Sequence, residues 1–126
     1  MADEELVAQA LKAREQAYAP YSGIRVGAAL KVRDGSVFTG ANVENASYGL
    51  TICAERVAAV KAVTAGHREF VAIAVAWDRE GFCRPCGACR QTLHEFSPVM
   101  RVLMVSASGD YEAENLAALL PRAFNQ

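Results

Sequence analysis

The stretch VAIAVAWDREGFCRPCGACRQTLHEFSPVMRVLMV, residues 71–105, carries the main information about the fold. Residues 71–76 are continuously apolar, which is typical of a strand that is covered on both faces. The loop over residues 78–85 leads to a predicted helix over 87–96, and residues 102–105 predict another central strand. Strands that alternate with helices in this way favour a sheet with helices packed against it.

The segments before this stretch predict a helix and a hairpin. Residues 3–18 carry apolar side chains at helical spacing and Pro20 follows them, so we expect a first amphipathic helix. Residues 26–32 and 37–40 flank Asp34-Gly35, and an Asp-Gly pair can supply the positive φ of a tight turn. We therefore expect two antiparallel strands here.

A second helix is predicted from about Cys53 to Ala65, because Gly66 lies just past its end. Its expected buried side consists of Val57, Ala58, Val60 and Ala62. Near the carboxyl end, residues 108–110 (Ser-Gly-Asp) indicate a turn, and residues 114–120 predict a short final helix. Together the elements predict a mixed sheet sandwiched between helices, in a single domain over residues 1–126.

Composition and charge narrow the possible partners. A chain of 126 residues can bury roughly two-thirds of its unfolded surface, so no metal is needed merely to fold it. The chain has 13 basic and 14 acidic side chains and a formal net charge of -1. This balance gives no electrostatic footprint for duplex nucleic acid or for an anionic membrane.

The amino terminus and the apolar runs favour a cytoplasmic location. Residues 3–5 are acidic where a secretory leader would be basic, and the apolar run over 71–77 is too short to span a bilayer. We therefore expect a cytoplasmic protein. In that compartment, cysteines at Cys-x-x-Cys spacing are interpreted as metal ligands or redox groups rather than as disulfides.

Three of these cysteines have the pattern of a catalytic zinc site. Cys86 and Cys89 lie in a Pro-Cys-x-x-Cys segment at one predicted helix start, and Cys53 lies at another. Both positions lower thiol pKa values through the helix dipole and free backbone N–H groups. Three protein ligands leave the fourth zinc position to water, and Glu55, two residues after Cys53, is a candidate base for that water.

Arg56 is a candidate partner of the thiolates. Three thiolates around Zn²⁺ carry a net charge of -1, which would weaken the metal as a Lewis acid. A guanidinium one residue past Glu55 could offset this charge by donating hydrogen bonds to the sulfurs.

The same residues carry a resemblance to a known family. Cys53-Ala54-Glu55 followed by Pro85-Cys86-Gly87-Ala88-Cys89 resembles the signature of the zinc deaminases of nucleosides and nucleobases. The likeness to the small cytidine deaminases covers nearly the whole chain. It includes APYS (19–22), VGAA (26–29), NVENASYG (42–49) and LLPRAF (119–124).

The resemblance implies a fold, an activity and an assembly. The fold would be a three-layer α/β/α sandwich with a mixed, about five-stranded sheet. The reaction would be the hydrolytic deamination of cytidine and 2'-deoxycytidine to uridine and 2'-deoxyuridine, with release of ammonia, as in pyrimidine salvage. In it, a zinc-bound hydroxide attacks C4 of the base while Glu55 shuttles protons. The partner would be a small nucleoside, and the assembly a homotetramer with sites shared between subunits.

The resemblance also implies roles for individual residues. Cys53, Cys86 and Cys89 would bind one zinc ion per chain, and the Ala54 backbone N–H would hold the pyrimidine O2. The other implied contacts are to the 3'-hydroxyl of the ribose for Asn42 and Glu44, and to a neighbouring subunit's site for Tyr48 and Phe124.

The chain departs from the family at Ile24, where a phenylalanine ring generally flanks the base. Stacking of an aromatic side chain on a base is worth on the order of 1 to 3 kcal/mol. We therefore expect the aliphatic contact of Ile24 to bind the pyrimidine ring less tightly.

Other readings of the cysteines predict different proteins. A deaminase of another aminopyrimidine nucleoside, such as blasticidin S, would share the zinc motif, although Asn42, Glu44 and Tyr48 favour cytidine. Cys83 could join the other three cysteines around an iron-sulfur cluster, which would make the protein an electron carrier. Cys83 could also be the fourth ligand of a purely structural zinc ion.

Overall fold

A computed structural model of the protein describes residues 2–126. Its centre is a five-stranded sheet in the order β2-β1-β3-β4-β5. The strands are β1 (Val26–Val32), β2 (Val37–Ala41), β3 (Phe70–Trp77), β4 (Arg101–Val105) and β5 (Tyr111–Asn115). Only β3 and β4 pair in parallel, and the other neighbouring strands are antiparallel.

Helices cover both faces of this sheet. The helices are α1 (Ala2–Ala13), α2 (Ala54–Thr64), α3 (Gly87–His94) and α4 (Leu116–Leu119), with 3₁₀ turns at Arg14–Gln16 and Tyr48–Leu50. No helix within residues 2–126 is long and apolar enough to cross a membrane.

Successive side chains of each strand point to opposite faces of the sheet, which divides the core into two layers. Ala29 of β1 points to one face, where it packs with residues of α1 such as Leu6 and Ala10. Its neighbours in the strand point to the other face, which holds the buried residues of α2, α3 and α4. This is the period of two expected of a strand, and it produces three layers: helix, sheet and helices.

A glycine lets α2 approach the sheet closely. A Cβ atom at Gly40 of β2 would lie 2.6 Å from both the Ala54 carbonyl oxygen and the Ala58 backbone nitrogen. These are backbone atoms of the first turns of α2, so the helix start rests directly on the strand. The turn that follows Cys53 is thereby fixed against the sheet.

The predicted fold class and most of the predicted elements agree with the structure. The first helix is shorter than predicted, because α1 ends at Ala13 and a 3₁₀ turn follows it. The prediction that Val60 is buried is wrong, since its side chain is 53% exposed. Ala59 is buried in α2 along with Ala58 and Ala62.

The final helix begins later than predicted. Glu114 belongs to β5, and Asn115 ends that strand while its side chain caps α4 by accepting a hydrogen bond from the Ala117 N–H at 2.9 Å. The strand itself carries no continuous apolar run, because it lies at the sheet edge and pairs only with β4. An edge strand of this composition gives little sequence signal.

Candidate metal centre and active site

Three cysteine sulfurs converge at one point. The Sγ atoms of Cys53, Cys86 and Cys89 all lie within 4.8 Å of one another. Cys86 Sγ lies 3.4 Å from Cys89 Sγ and 3.9 Å from Cys53 Sγ. Sulfurs bound to one tetrahedral Zn²⁺ lie about 3.8 Å apart, because each Zn–S bond is about 2.3 Å long. The donor set and its spacing therefore fit a zinc ion.

Two helix starts bring the sulfurs together. Cys53 is the N-cap residue of α2, and Cys86 is the N-cap residue of α3. Cys89 follows in the first turn of α3 and is fully buried. The positive ends of both helix dipoles point toward the cluster, which favours negatively charged sulfur.

The protonation of the sulfurs reflects their contacts. The hydrogen bond from the Cys89 thiol lowers the pKa of Cys53 to about 5, with a further contribution from the Arg56 guanidinium. The same hydrogen bond to Cys53, together with burial, raises the pKa of Cys89. One sulfur of the cluster therefore carries its negative charge readily, and a bound cation would deprotonate the others.

The Arg56 guanidinium lies against the cluster. Its Nη2 is 3.7 Å from Cys53 Sγ and 3.5 Å from the Thr51 carbonyl oxygen. Its Nε is buried and has no hydrogen-bond partner among residues 2–126. A cation held in this position is suited to a cluster that carries excess negative charge.

Glu55 is buried beside the sulfurs. Its side chain is 4% exposed, and burial raises its pKa to about 7 against the lowering effect of hydrogen bonds from its own backbone N–H and the Cys89 thiol. The sulfur of Cys53 contributes to the increase through charge repulsion. The carboxyl is therefore close enough to the cluster to interact with it.

A cavity of about 230 Å³ opens onto Glu55 and onto two of the three clustered cysteines, Cys53 and Cys86. The predicted site residues that line it are Ile24, Asn42, Cys53, Ala54, Glu55 and Cys86. Five further residues that the sequence does not indicate as parts of a pocket wall also line it, namely Val26, Thr51, Trp77, Cys83 and Arg84. Of these, Trp77 could have been predicted, because it is the last residue of an apolar strand and directly precedes the loop that leads to Cys86.

A second cavity, of about 380 Å³, adjoins the first and contains Glu44. Tyr21, Ser22, Asn45 and Tyr48 line it, and Thr51 lines both cavities. Asn42 and Glu44 thus lie on two adjoining cavities that share Thr51 in their walls.

Asn42 is buried and forms hydrogen bonds through both ends of its side-chain amide. Its Oδ1 accepts from the Val26 N–H at 2.9 Å, and its Nδ2 donates to the Ile24 carbonyl at 2.9 Å. One amide hydrogen remains for a further acceptor. Asn42 therefore fixes the backbone on either side of Arg25.

Tyr48 and Phe124 lie away from the sulfur cluster within one chain. Tyr48 is 79% exposed at the rim of the second cavity, and Phe124 is 70% exposed. The carbonyl of Phe124 accepts from Gln91 Nε2 at 3.1 Å, which holds the carboxyl-terminal segment on α3. Neither ring contributes to the metal centre of its own chain.

Cys83 stands outside the three-sulfur cluster. It is buried, lines the cavity, and its pKa is raised to about 12 by burial. Its sulfur is not one of the three that lie within 4.8 Å of one another. This geometry does not favour the four-thiolate alternatives, whether an iron-sulfur cluster or a closed structural zinc.

Comparisons with known proteins agree with this geometry. A family model described as the cytidine and deoxycytidylate deaminase zinc-binding region matches residues 1–106. A cytidine deaminase of Sporosarcina psychrophila is 51% identical over 98% of this chain and 91% of its own length. A probable cytidine deaminase of Dictyostelium discoideum is 45% identical over 98% of this chain and 84% of its own length.

A solved structure has the same fold. The crystal structure of cytidine deaminase from Burkholderia pseudomallei matches with a TM-score of 0.94 and 50% identity, covering 98% of this chain and all of that one. A mixed sheet covered by helices, two of which begin at a cluster of three thiols, is the framework of a zinc-binding deaminase domain. The chain belongs to the cytidine and deoxycytidylate deaminase family, and the predicted resemblance is confirmed.

Proposed function

We propose that the protein is a zinc-dependent cytidine deaminase that converts cytidine and 2'-deoxycytidine to uridine and 2'-deoxyuridine with release of ammonia. The observation that carries the proposal is the buried carboxyl of Glu55 beside three converging cysteine sulfurs at the inner end of a cavity. Two relatives that share about half of their aligned residues with this chain are named cytidine deaminases, which supports the same substrate class. Residues 1–126 would act as one catalytic domain.

Cys53, Cys86 and Cys89 would hold the zinc ion, and Arg56 would moderate the charge of their thiolates. Zinc bound there would supply the activation of a water molecule for attack on the C4 atom of the base. Arg56 Nη2 already donates toward Cys53 Sγ at 3.7 Å. The role of the guanidinium is therefore to stabilise sulfur charge without touching the substrate.

Glu55 would move the protons of the reaction. Its carboxylate accepts a proton from the attacking water and delivers it to N3 of the pyrimidine as the C4 atom becomes tetrahedral. The carboxylate then takes the proton of the new C4 hydroxyl and passes it to the amine, so that the C4 carbonyl forms as the C4–N bond breaks and ammonia leaves. Burial beside the sulfurs keeps this exchange away from bulk water.

The remaining residues would orient the nucleoside. The backbone N–H of Ala54, the first residue of α2 after its N-cap, is free of an intrahelical partner and would donate to the pyrimidine O2. Ile24 and Trp77 line the same cavity and would flank the base. Asn42 and Glu44, on the two adjoining cavities, would bind the ribose.

Subunits would assemble as a homotetramer in the cytoplasm. The loop of residues 43–52 exposes an apolar set in the single chain, consisting of Val43, Tyr48, Leu50 and Ile52. Contact with a neighbouring subunit would cover these side chains. All four cysteines are free thiols, which is the usual state in a reducing compartment.

One assay tests substrate and metal together. Purified protein is mixed with cytidine, 2'-deoxycytidine or blasticidin S, and the ultraviolet change of deamination is followed before and after treatment with a chelator. We expect turnover of the first two compounds, loss of turnover after chelation, and recovery when Zn²⁺ is returned. Preference for blasticidin S, or activity that survives complete removal of the metal, would overturn the proposal.

A further inference from the structure

The segment of residues 18–26, called here the entry loop, is fixed against the residues that follow β2. The Tyr18 N–H donates to the Asn42 carbonyl at 2.9 Å, and the Glu44 N–H donates back to the Tyr18 carbonyl at 2.9 Å. Asn42 also holds the far end of the entry loop through Ile24 and Val26. The entry loop therefore has little freedom at either end.

The middle of the entry loop is organised around the Glu44 carboxylate. Oε1 of Glu44 accepts from the backbone N–H groups of Tyr21 and Ser22 at 2.9 Å and 3.1 Å. Oε2 accepts from the Ser22 hydroxyl. These bonds hold the pKa of Glu44 below its ordinary value, with the Ser22 hydroxyl as the largest cause, so the carboxylate is charged at neutral pH.

The Ser22 hydroxyl makes a second bond in the opposite direction. Its oxygen accepts from the Ile24 N–H at 2.9 Å across Gly23, whose φ of +73° allows the tight turn. Ile24 lines the cavity that contains Glu55, whereas Glu44 lines the adjoining one. One hydroxyl thus links a residue on each cavity.

We propose that Ser22 is a positioning residue for the substrate, acting through Glu44. The inference rests on the proposed function, in which Glu44 binds the sugar and Ile24 flanks the base. With the hydroxyl in place, Oε2 of the carboxylate is held toward the entry loop and the orientation of Glu44 is set before the nucleoside arrives. Without it, the carboxylate keeps only the two backbone donors on Oε1 and can rotate.

The consequence is an effect on binding rather than on chemistry. Ser22 touches neither the sulfurs nor Glu55, so its loss leaves the proton transfers intact. Loss of one charge-assisted hydrogen bond at an exposed position is expected to raise KM about fivefold. The value of kcat should stay within about twofold, because the groups that act in the transition state are unchanged.

The experiment compares Ser22→Ala, Ser22→Thr and Ser108→Ala with the wild-type protein. Thr keeps the hydroxyl, and its extra methyl group projects from an exposed position, so Ser22→Thr should restore most of the wild-type KM. Ser108 is a matched control, because its hydroxyl also bonds a carboxylate, that of Asp110, in the turn between β4 and β5. We expect Ser108→Ala to leave KM for cytidine unchanged.

A double-mutant cycle separates positioning from a general loosening of the loop. In a Glu44→Ala background the hydroxyl has no carboxylate to hold, so Ser22→Ala should change KM by less than about twofold. The same fivefold factor in both backgrounds would overturn the inference. So would an unchanged or lower KM for Ser22→Ala alone, or a kcat that falls with KM constant.

Failure of the proposed function can be distinguished from failure of the inference about Ser22. If the wild-type protein releases no uridine from cytidine, the proposed function fails and the inference fails with it. If the wild-type protein is active and Ser22→Ala behaves like Ser108→Ala, only the inference fails.

Discussion

Burial separates Glu55 from the other acids of the chain. Within residues 3–126 it is the only carboxylic acid with a buried side chain, at 4% exposure, and its pKa is raised to about 7 by burial. A carboxyl with a pKa near neutrality can accept and return a proton with little cost in either direction. A cation bound by the neighbouring sulfurs would pull this pKa down, so the carboxyl would begin the reaction charged.

Replacing Glu55 tests this role directly. We expect Glu55→Gln to keep its zinc, because the three sulfurs are untouched, and to lose at least about a hundredfold in kcat, the usual effect of removing a general acid-base group. Zinc is measured with a chromogenic chelator and turnover by the ultraviolet assay. Glu5→Gln, at an exposed position on α1, is the control. A variant with near-normal turnover would remove Glu55 from the mechanism.

Cys83 and Cys86 form a matched pair of thiols for testing the ligand set. Cys83 is buried and outside the cluster, whereas Cys86 belongs to it. We expect Cys86→Ala to lose stoichiometric zinc and activity. Cys83→Ala should retain one zinc per chain and most of its activity, with a modest loss of stability from the small void. Loss of zinc from Cys83→Ala would support a four-thiolate site.

At the scale of elements, the packing of α2 on β2 determines where Cys53 stands. A methyl group at Gly40 would meet backbone atoms of Ala54 and Ala58 at 2.6 Å, and backbone cannot move aside as a side chain can. We expect Gly40→Ala to lower the free energy of unfolding by about 1 to 3 kcal/mol and to weaken zinc binding. Glu5→Ala, at an exposed position on α1, is the control. Equal stability of the two variants in urea would contradict this account.

The contact of α1 with β4 contains an ion pair that depends on pH. Arg101 Nη2 lies 2.7 Å from Asp3 Oδ2, and the hydrogen bond from Arg101 lowers the pKa of Asp3. Because the pKa of Asp3 is lower in the folded state, the pair stabilises the protein above the unfolded pKa of about 4. That stabilisation is lost as the pH falls through the folded pKa.

The variant Asp3→Asn measures this contribution. We expect it to be less stable than the wild-type protein at pH 7 by at most about 1 kcal/mol, because the pair is partly exposed. The difference should shrink as the pH falls below about 4. Urea unfolding at several pH values checks it, and a difference that grows at low pH would reverse the assigned sign.

Sequence patterns predicted the central elements better than the edges. The apolar run of β3 and the Asp-Gly turn after β1 have local causes, so their bounds were nearly right. The strand β5 depends on pairing with β4, and its polar residues carry no local signal. Val60 has the hydrophobicity of a core residue but is 53% exposed, since the smaller Ala59 takes the place against the sheet.

The site residues also differ in how far the sequence predicts them, because some belong to short motifs and others come together only through the tertiary fold. Cys53, Glu55, Cys86 and Cys89 follow from short motifs, and the structure brings their side chains together. The walls formed by Trp77 and Thr51 depend on how β3 and the loop before Cys53 lie in space. The bonds between Asn42 and the entry loop also join residues 16 and 18 positions apart, which no spacing rule predicts.

At the scale of the whole molecule, the exposed apolar loop of residues 43–52 predicts self-association. We expect a mass near four times 13.5 kDa by light scattering. Leu50→Asp should give smaller species, because it places a charge among apolar side chains that would be covered by a neighbour. Val99→Asp changes an exposed apolar residue outside this loop and is the control. A wild-type monomer would contradict the assembly.

The sulfur cluster also joins two distant parts of the chain. Cys53 precedes β3 and Cys86 follows it, 33 positions apart, so their sulfurs meet in the folded sheet that contains this strand. An unfolded chain offers no such arrangement, and the ion therefore binds the native state selectively. Mass action then makes the thermal midpoint of unfolding rise with the concentration of free zinc. The metal that serves catalysis would therefore also stabilise the native fold.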